Sequence, residues 1–339
     1  MPPPTKLGGF KILKDVVRIS TFFPDEKEHS PAQFFRFIAE EKINLPYITC
    51  IHDNQSWGLN LMLDANNEEM VSHVIEKTFG KIFNYSPNSA ILSIFPHKKN
   101  PEIAGSLFEA FGQEGLKPDS MANSPSAISV VLKEEELNRA SSVLFEPFSF
   151  SAYRTPTDWK LAQKGKEQLY KEVVASYQEQ RPKVYGLEYH EKQELLKIKL
   201  NFNEIGQYSV IFRKFAETGL HFTFIVTSPL QKEGRGMLAF CLPTSENQSY
   251  AEILNPLVPE MMIDSISPVA IFSMNGPHFG DRYGIASELL TVFEHSQIDL
   301  LGLCCTIASI TGVVPSHQLE TTIQSIQSCF EVPSIIKKD

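Results

Sequence analysis

The feature that most restricts this chain is an internal repeat. Four segments run through one order: a β-like run, a polar loop, an amphipathic helix, two β-like runs joined by a turn, and a second helix. Their opening β-runs begin near Val16, Ala90, Leu195 and Val269, at spacings of about 74, 105 and 74 residues. The chain therefore reads as two pairs with extra material between them. Residue matches support the duplication. "FRFIAE" from Phe35 stands against "FRKFAE" from Phe212, and "IAGSLFEAF" from Ile103 against "IASELLTVF" from Ile285. "YSPNSAILS" echoes "SISPVAIFS", so segments one and three correspond, as do two and four.

Local patterning predicts what each repeat builds. In the fourth, Ile285, Ala286, Leu289, Leu290 and Phe293 recur at helical spacing and form one apolar stripe. Ser30-Pro31 and Asn100-Pro101 each place an N-cap before a proline at the first helical position. "KPDSMAN" and "AISVVLK" flank a short polar turn, as do "HFTFIVT" and "GMLAFCL", which predicts hairpins. A βαββαβ unit of about 70 residues, with two helices on one face of an antiparallel sheet, is the ferredoxin-like plait. The expected class is α+β, with four such units in two tandem pairs. Their boundaries are read as 8–80, 81–154, 184–262 and 263–339. The charged helical pattern within 155–183 is read as a connecting helix.

Composition removes several functions. The formal net charge is -9 and the pI about 5.6, so no nucleic-acid partner is expected. No apolar run approaches the roughly 18 residues of a membrane span, and "MPPPTKLGGF" lacks the apolar core of a signal peptide. No membrane partner and a cytoplasmic location are the expectation. The five cysteines form no CxxC; Cys304 and Cys305 lie in an apolar run, where a strand would turn them to opposite faces as buried thiols. Scattered histidines without HExxH, and the absence of GxSxG, suggest no metal and no catalytic residue. No cofactor is expected.

The second segment, from "AILSIFPHKKNPEIAGSLFEAFGQEGL" through "NSPSAISVVL" to its second helix, resembles an ACT domain of the aspartate kinase type. The fourth repeats its features in "GIASELLTVFEHSQIDL", and "LGGFKILKDVVRIS" and "VYGLEYHEKQELLKIKL" look like the entry to the first ACT domain of that family. The resemblance covers nearly the whole chain outside 155–183. Aspartate kinases carry a catalytic domain opening with Lys-Phe-Gly-Gly, which "KLGGF" at Lys6 resembles, but Gly9-Phe10 is better matched by Gly186-Leu187 in the other half. Because Val16 already begins an ACT-like strand, the chain resembles the regulatory pairs without the kinase domain. The family also implies return strands, "FSFSAYR" for the first segment and "VPSIIKK" for the third.

The loop "MNGPHFGDRYGIASELL" lies between a β-run and a helix start, where backbone N–H groups favour an anion. Gly276, Gly280 and Gly284 do not form GxGxxG and no GK[ST] follows, so a zwitterion fits better than a nucleotide phosphate. In ACT proteins this loop resembles the place where regulatory amino acids bind. That resemblance implies a ligand site at Asn275, Gly276, Gly280, Asp281, Tyr283, Gly284 and Ile285, with Asp299 and Thr306. The matching positions of the second segment are His97, Asn100, Asn123, Ser124 and Ser126. The expected function is a non-catalytic regulatory or sensor protein that binds a small amino acid at ACT–ACT interfaces. The alternative is an interaction module that pairs with an amino-acid biosynthetic enzyme and binds no ligand. A homodimer or that biosynthetic enzyme is the candidate protein partner.

Overall fold

The structure is a computed structural model that describes residues 4–24, 30–53, 56–79, 83–96, 99–163, 181–230, 234–245, 249–258, 262–276, 279, 282–306 and 309–338. β1 (Thr5–Leu7) and β2 (Gly9–Pro24) lead to α1 (Pro31–Glu40), β3 (Tyr47–Asp53), β4 (Ser56–Asp64) and α2 (Glu68–Phe79). The second run is β5 (Phe83–Phe95), α3 (Pro101–Gln113), β6 (Ser120–Asn123), β7 (Ile128–Lys133) and α4 (Leu137–Val143), followed by β8 (Phe148–Phe150) and α5 (Pro156–Gln163). The third is β9 (Gly186–Asn201), α6 (Ser209–Glu217), β10 (Phe224–Pro229), β11 (Arg235–Pro243) and α7 (Tyr250–Leu254). The fourth is β12 (Ile263–Asn275), α8 (Ile285–His295), β13 (Gly302–Thr306), β14 (Ser309–Pro315) and α9 (Leu319–Cys329), with β15 (Ile335–Lys338) last. The order strand, helix, two strands, helix thus occurs four times. The class is α+β with a large antiparallel sheet.

The expected caps form. The Ser30 side chain accepts from the Gln33 N–H and the Asn100 side chain from the Glu102 N–H, each ahead of a proline at the helix start. The opening strands, however, are longer than the pattern suggests. β2 pairs with β5 along residues 9–21 and with β4 over 16–24, while β9 pairs with β12 along 186–198 and with β11 over 193–201. Each passes from one neighbour to two, and a register shift near Val16 or Val269 marks the passage. Such bulges interrupt the two-residue alternation that reveals a strand in sequence. β8, from "FSFSAYR", lies parallel to β1 in a separate two-stranded sheet, and β15, from "VPSIIKK", lies parallel to β9. Lys6 to Phe10, the "KLGGF" stretch, spans the end of β1 and the start of β2. The connecting-helix pattern begins as α5, whose Trp159 stacks on Phe10 with ring centroids 4.8 Å apart; residues 164–180 lie outside the described part.

The two halves pair crosswise. β3 meets β13 in antiparallel register from Cys305↔Ile48 to Gly302↔Ile51, and β10 meets β6 at Val226↔Ala122. With β9 bonded to both β12 and β11, every strand of the thirteen-stranded sheet except β15 belongs to one closed circuit. Alternation along the strands sorts apolar side chains to two faces. One face builds a cluster between the strands, with Val16, Tyr47, Phe224, Val226, Met237 and Ile271. The other face packs beneath helices, with α3 and α6 over one cluster and α1 and α8 over another. Cys304 falls in the inner cluster and Cys305 in the cluster under α1 and α8, as their adjacency implies. Burial holds both thiols above the usual range, so they stay neutral. Among the described residues no helix is long and apolar enough to cross a membrane.

Candidate functional site

Crosswise pairing sets helix against helix at two seams, α1 on α8 and α3 on α6. The first seam contains a cavity of about 30 Å³. Phe35, Ile38, Ile43, Leu45 and Ile48 supply one wall from the first segment, and Arg282, Gly284, Ser287, Thr306 and Ile310 line the other from the fourth. At roughly 10–15 Å³ for each water, the space matches about two waters, the bulk of a small side chain.

The polar end is built by the entry to α8. Gly284 is the N-cap at φ 83°, a conformation that costs a side-chain-bearing residue about 1–2 kcal/mol. The helix begins with no side-chain cap, and its first bond runs from the Glu288 N–H to the Gly284 carbonyl at 2.9 Å. The N–H groups of the first turn have no acceptor inside the helix and carry the positive end of its dipole. Arg282, buried but for 9% of its side chain, donates from Nη2 to Glu288 Oε1 at 2.8 Å. Burial raises the Glu288 carboxyl above its usual range, and the Arg282 charge opposes the rise. Thr306 Oγ1 shares a 2.9 Å hydrogen bond with Ser309 Oγ. The arrangement offers positive potential and a hydroxyl at one end and hydrocarbon at the other. It suits a small carboxylate-bearing molecule with an apolar group.

Of the residues singled out in the sequence, the structure brings Gly284, Ile285 and Thr306 to the cavity. Gly276 lies just behind it: a Cβ there would come 2.5 Å from the Phe279 ring, and Phe279 is a lining residue. Asn275 ends β12 and its carbonyl accepts from the Tyr185 N–H; Tyr283 is half-buried and outside the lining. Asp299 is exposed and joined to Gln318, donating from its N–H at 2.8 Å and accepting at Oδ2 at 3.0 Å. It anchors the turn before α9. Gly280, Asp281 and His97 lie outside the described residues.

The second-segment positions do not gather at the cavity. Asn100 caps α3. Asn123 Oδ1 accepts from the Ile225 N–H at 2.6 Å, joining β6 to β10. Ser124 Oγ accepts from the N–H groups of Ala127 and Ser126 and closes the β6–β7 turn. The sequence reading missed Arg282 and the whole α1 wall. Arg282 lies between Asp281 and Tyr283, both of which were singled out, and a cation beside a helix start was the available signal. The α1 wall depends on β3 meeting β13, a contact between residues about 250 apart that a linear pattern does not reveal. Among the described residues no cluster of three or more His, Cys, Asp or Glu could hold a metal ion.

No family model and no curated protein matches this chain in sequence. In structure it is similar to the aspartate kinase from Synechocystis, with a TM-score of 0.78 and 17% identity, over 96% of this chain and 56% of that one. It is also similar to the ligand-free regulatory subunit of aspartate kinase from Thermus thermophilus, with a TM-score of 0.37 and 20% identity, over 42% of this chain and 98% of that one. The regulatory subunit from Thermus flavus gives 0.40 and 16%, over 44% of this chain and 99% of that one. The first likeness shares a fold across nearly the whole of this chain, which spans 56% of the length of the Synechocystis protein.

That likeness corrects two expectations. The sequence reading of a non-catalytic regulatory or sensor protein, with a pairing module as the alternative, does not stand, because the protein sharing this fold over 96% of the chain is an enzyme. The reading that the chain is not an enzyme falls with it. Its basis was the resemblance to regulatory pairs without a kinase domain, together with the absence of a few catalytic motifs, and such an absence excludes those particular schemes only.

Proposed function

We propose that the protein belongs with the aspartate kinases in handling amino acids, and that the α1–α8 cavity binds a free α-amino acid. The observation that carries this reading is the cavity itself, where Arg282, Thr306 and the uncapped start of α8 face an apolar wall from α1. An α-carboxylate meets the first-turn N–H groups and the guanidinium, and the Thr306 hydroxyl accepts from an ammonium. The four repeats are four ACT-like units in this reading, each with the order strand, helix, two strands, helix. A thermal-shift screen of the twenty amino acids, followed by calorimetry, tests binding. Arg282→Gln should weaken the best ligand about ten- to a hundredfold, since a hydrogen bond to a charged group is worth about 1.5–3 kcal/mol. Unchanged affinity in that variant would move the site elsewhere. ADP formation by the protein with ATP and aspartate measures the enzyme side of the likeness directly.

A further inference from the structure

We infer that α5 is a releasable strap, held to the first half by one side chain, Trp159, and able to open while the sheet stays folded. The repeat shows what it replaces. Phe10 and Leu187 are equivalent positions, by the same alignment that matches Phe35 with Phe212. Just before them the halves agree: Lys6 pairs in parallel with Ser149, and Lys183 with Glu331. Beyond that pairing they part. In the second half β15 runs along β9 from Leu187 to His190, held by a backbone ladder. In the first half the chain turns away after Phe150 and enters α5, and the indole of Trp159 lies on the Phe10 ring. Four features make this a hold that can release. Trp159 is the one buried side chain described in α5; Thr157 and Asp158 are exposed, and Leu161 is 59% exposed. The indole Nε1 is buried without an acceptor, so release to water restores a hydrogen bond and by itself favours opening about ten- to a hundredfold. The rest of the aromatic cluster does not depend on the indole: Phe10 meets Phe150 at 5.1 Å, Phe145 at 6.0 Å and Tyr153 at 6.2 Å, each edge to face. The helix start is self-contained, since Asp158 Oδ2 accepts from the Arg154 and Thr155 N–H groups and Thr155 Oγ1 from the Asp158 N–H. α5 therefore lifts as a unit, and its release uncovers an aromatic face at the start of β2.

The chain has two tryptophans, and the other serves as the reference. Trp57 is 7% exposed in β4, inside the closed circuit, and opens only with the sheet. Native-state hydrogen exchange of the two indole N–H groups in the full chain, followed by NMR in urea below the unfolding transition, reads both openings. Trp159 should exchange at least about a hundredfold faster than Trp57, at a rate that hardly changes with urea, because a small opening exposes little surface. Equal rates with equal urea dependence would overturn the strap. Trp159→Ala should lower the urea midpoint far less than Phe212→Ala, which removes a fully buried ring on α6, since a strap can lose no more than its own docking free energy. In the same variant trypsin should cleave after Lys160 at least about tenfold faster than in the wild type. A midpoint loss as large as that of Phe212→Ala would mean that α5 belongs to the cooperative core, and an unaltered cleavage rate that Trp159 does not hold it; either result overturns the inference.

Discussion

The two helix seams descend from the same repeat and end differently. At α3·α6, α3 closes to backbone contact with the turn that leads into α6: a Cβ on Gly112 would come 2.5 Å from the Gly206 Cα. Phe212 is fully buried there, 4.9 Å from the Phe108 ring centroid and 5.2 Å from that of Phe222. At α1·α8, Leu290 stands where Phe108 does and Ile38 where Phe215 does, by the alignment of the repeats. Smaller side chains and an uncapped helix start leave the cavity. The strands beneath show the reverse. β3·β13 is joined by a backbone ladder, whereas β6·β10 is held largely by side chains. Asn123 Oδ1 accepts from the Ile225 N–H and Thr227 Oγ1 from the Met121 N–H at 2.8 Å, while Tyr47 Oη, from β3, bonds Ser120 Oγ of β6 at 2.7 Å. The repeat thus gives two equivalent interfaces, one filled and the other holding a cavity of about 30 Å³.

The largest expected effect tests the filled seam against the open one. Phe212→Ala should cost about 3–5 kcal/mol, because a fully packed ring leaves a void its neighbours cannot fill. Phe35→Ala, at the matching position, should cost at least about 1 kcal/mol less, because that ring already borders a cavity and has fewer contacts to lose. Urea midpoints on the two variants settle it. Equal losses would mean that the seams are equally closed in solution. Next in size, Gly112→Ala should lose about 1–3 kcal/mol despite alanine's better helix propensity, since its methyl would overlap Gly206. Glu294→Ala, the matching change on α8, should shift stability by about 0.5 kcal/mol or less, as its contacts to Arg36 and Ser30 are exposed. A neutral Gly112→Ala would show that α3 and the turn before α6 stand further apart than the structure has them.

The polar stitching under β6 should appear in the pH dependence. Asp119, at the entry to β6, lies 3.7 Å from Arg18, which donates twice to Asn60 Oδ1. Burial raises the Asp119 carboxyl above its usual 3.8, and Arg18 and Lys133 only partly oppose it. Between 3.8 and the raised value the folded chain binds more protons than the unfolded chain, so stability rises as pH falls through that window. Compared with Asp119→Asn, the wild type should gain stability on acidification, with the difference levelling off below 3.8. Thermal midpoints of both proteins measured from pH 7 to pH 3 give the sign, and the opposite slope would mean that Arg18 outweighs desolvation.

Local chemistry was legible in the sequence, and distant chemistry was not. Ser30-Pro31 and Asn100-Pro101 announced their helices because a cap acts within three residues. The repeated order of elements followed from apolar periodicity alone. Two of the cavity's polar positions, Gly284 and Thr306, were reached through the loop and its family resemblance. The apolar wall was hidden because Ile38 and Leu45 look like ordinary core residues, and only the crosswise pairing makes them one wall of a cavity. Asn123 misled for a related reason: a polar residue at the end of a strand suits a ligand or a neighbouring strand equally well. Its partner, Ile225, is 102 residues away.

The smallest effect concerns the helix ends, where the seams differ again. All four helices stop in the same way, with paired bonds such as Leu116 N–H to the Phe111 carbonyl and Gly115 N–H to the Gly112 carbonyl, followed by an apolar residue. The turning residue has positive φ in each: Gly115 at 63° and Gly219 at 72° after α3 and α6, but Lys42 at 58° and Gln297 at 53° after α1 and α8. A side chain in this conformation costs about 1–2 kcal/mol, while glycine costs about 0.5–1 kcal/mol through the freer unfolded chain. Lys42→Gly and Gln297→Gly should therefore each stabilise by a few tenths to about 1 kcal/mol, and Gly115→Ala and Gly219→Ala should each lose a similar amount. Sterics do not confuse the comparison, since a Cβ at Gly115 or Gly219 would meet nothing within 4 Å. Urea midpoints on the four variants measure it. Stabilisation by glycine at Lys42 and Gln297 would show that the open seam retains backbone strain that the closed one has shed, whereas destabilisation there would mean that the two long side chains hold those helix ends by contacts of their own.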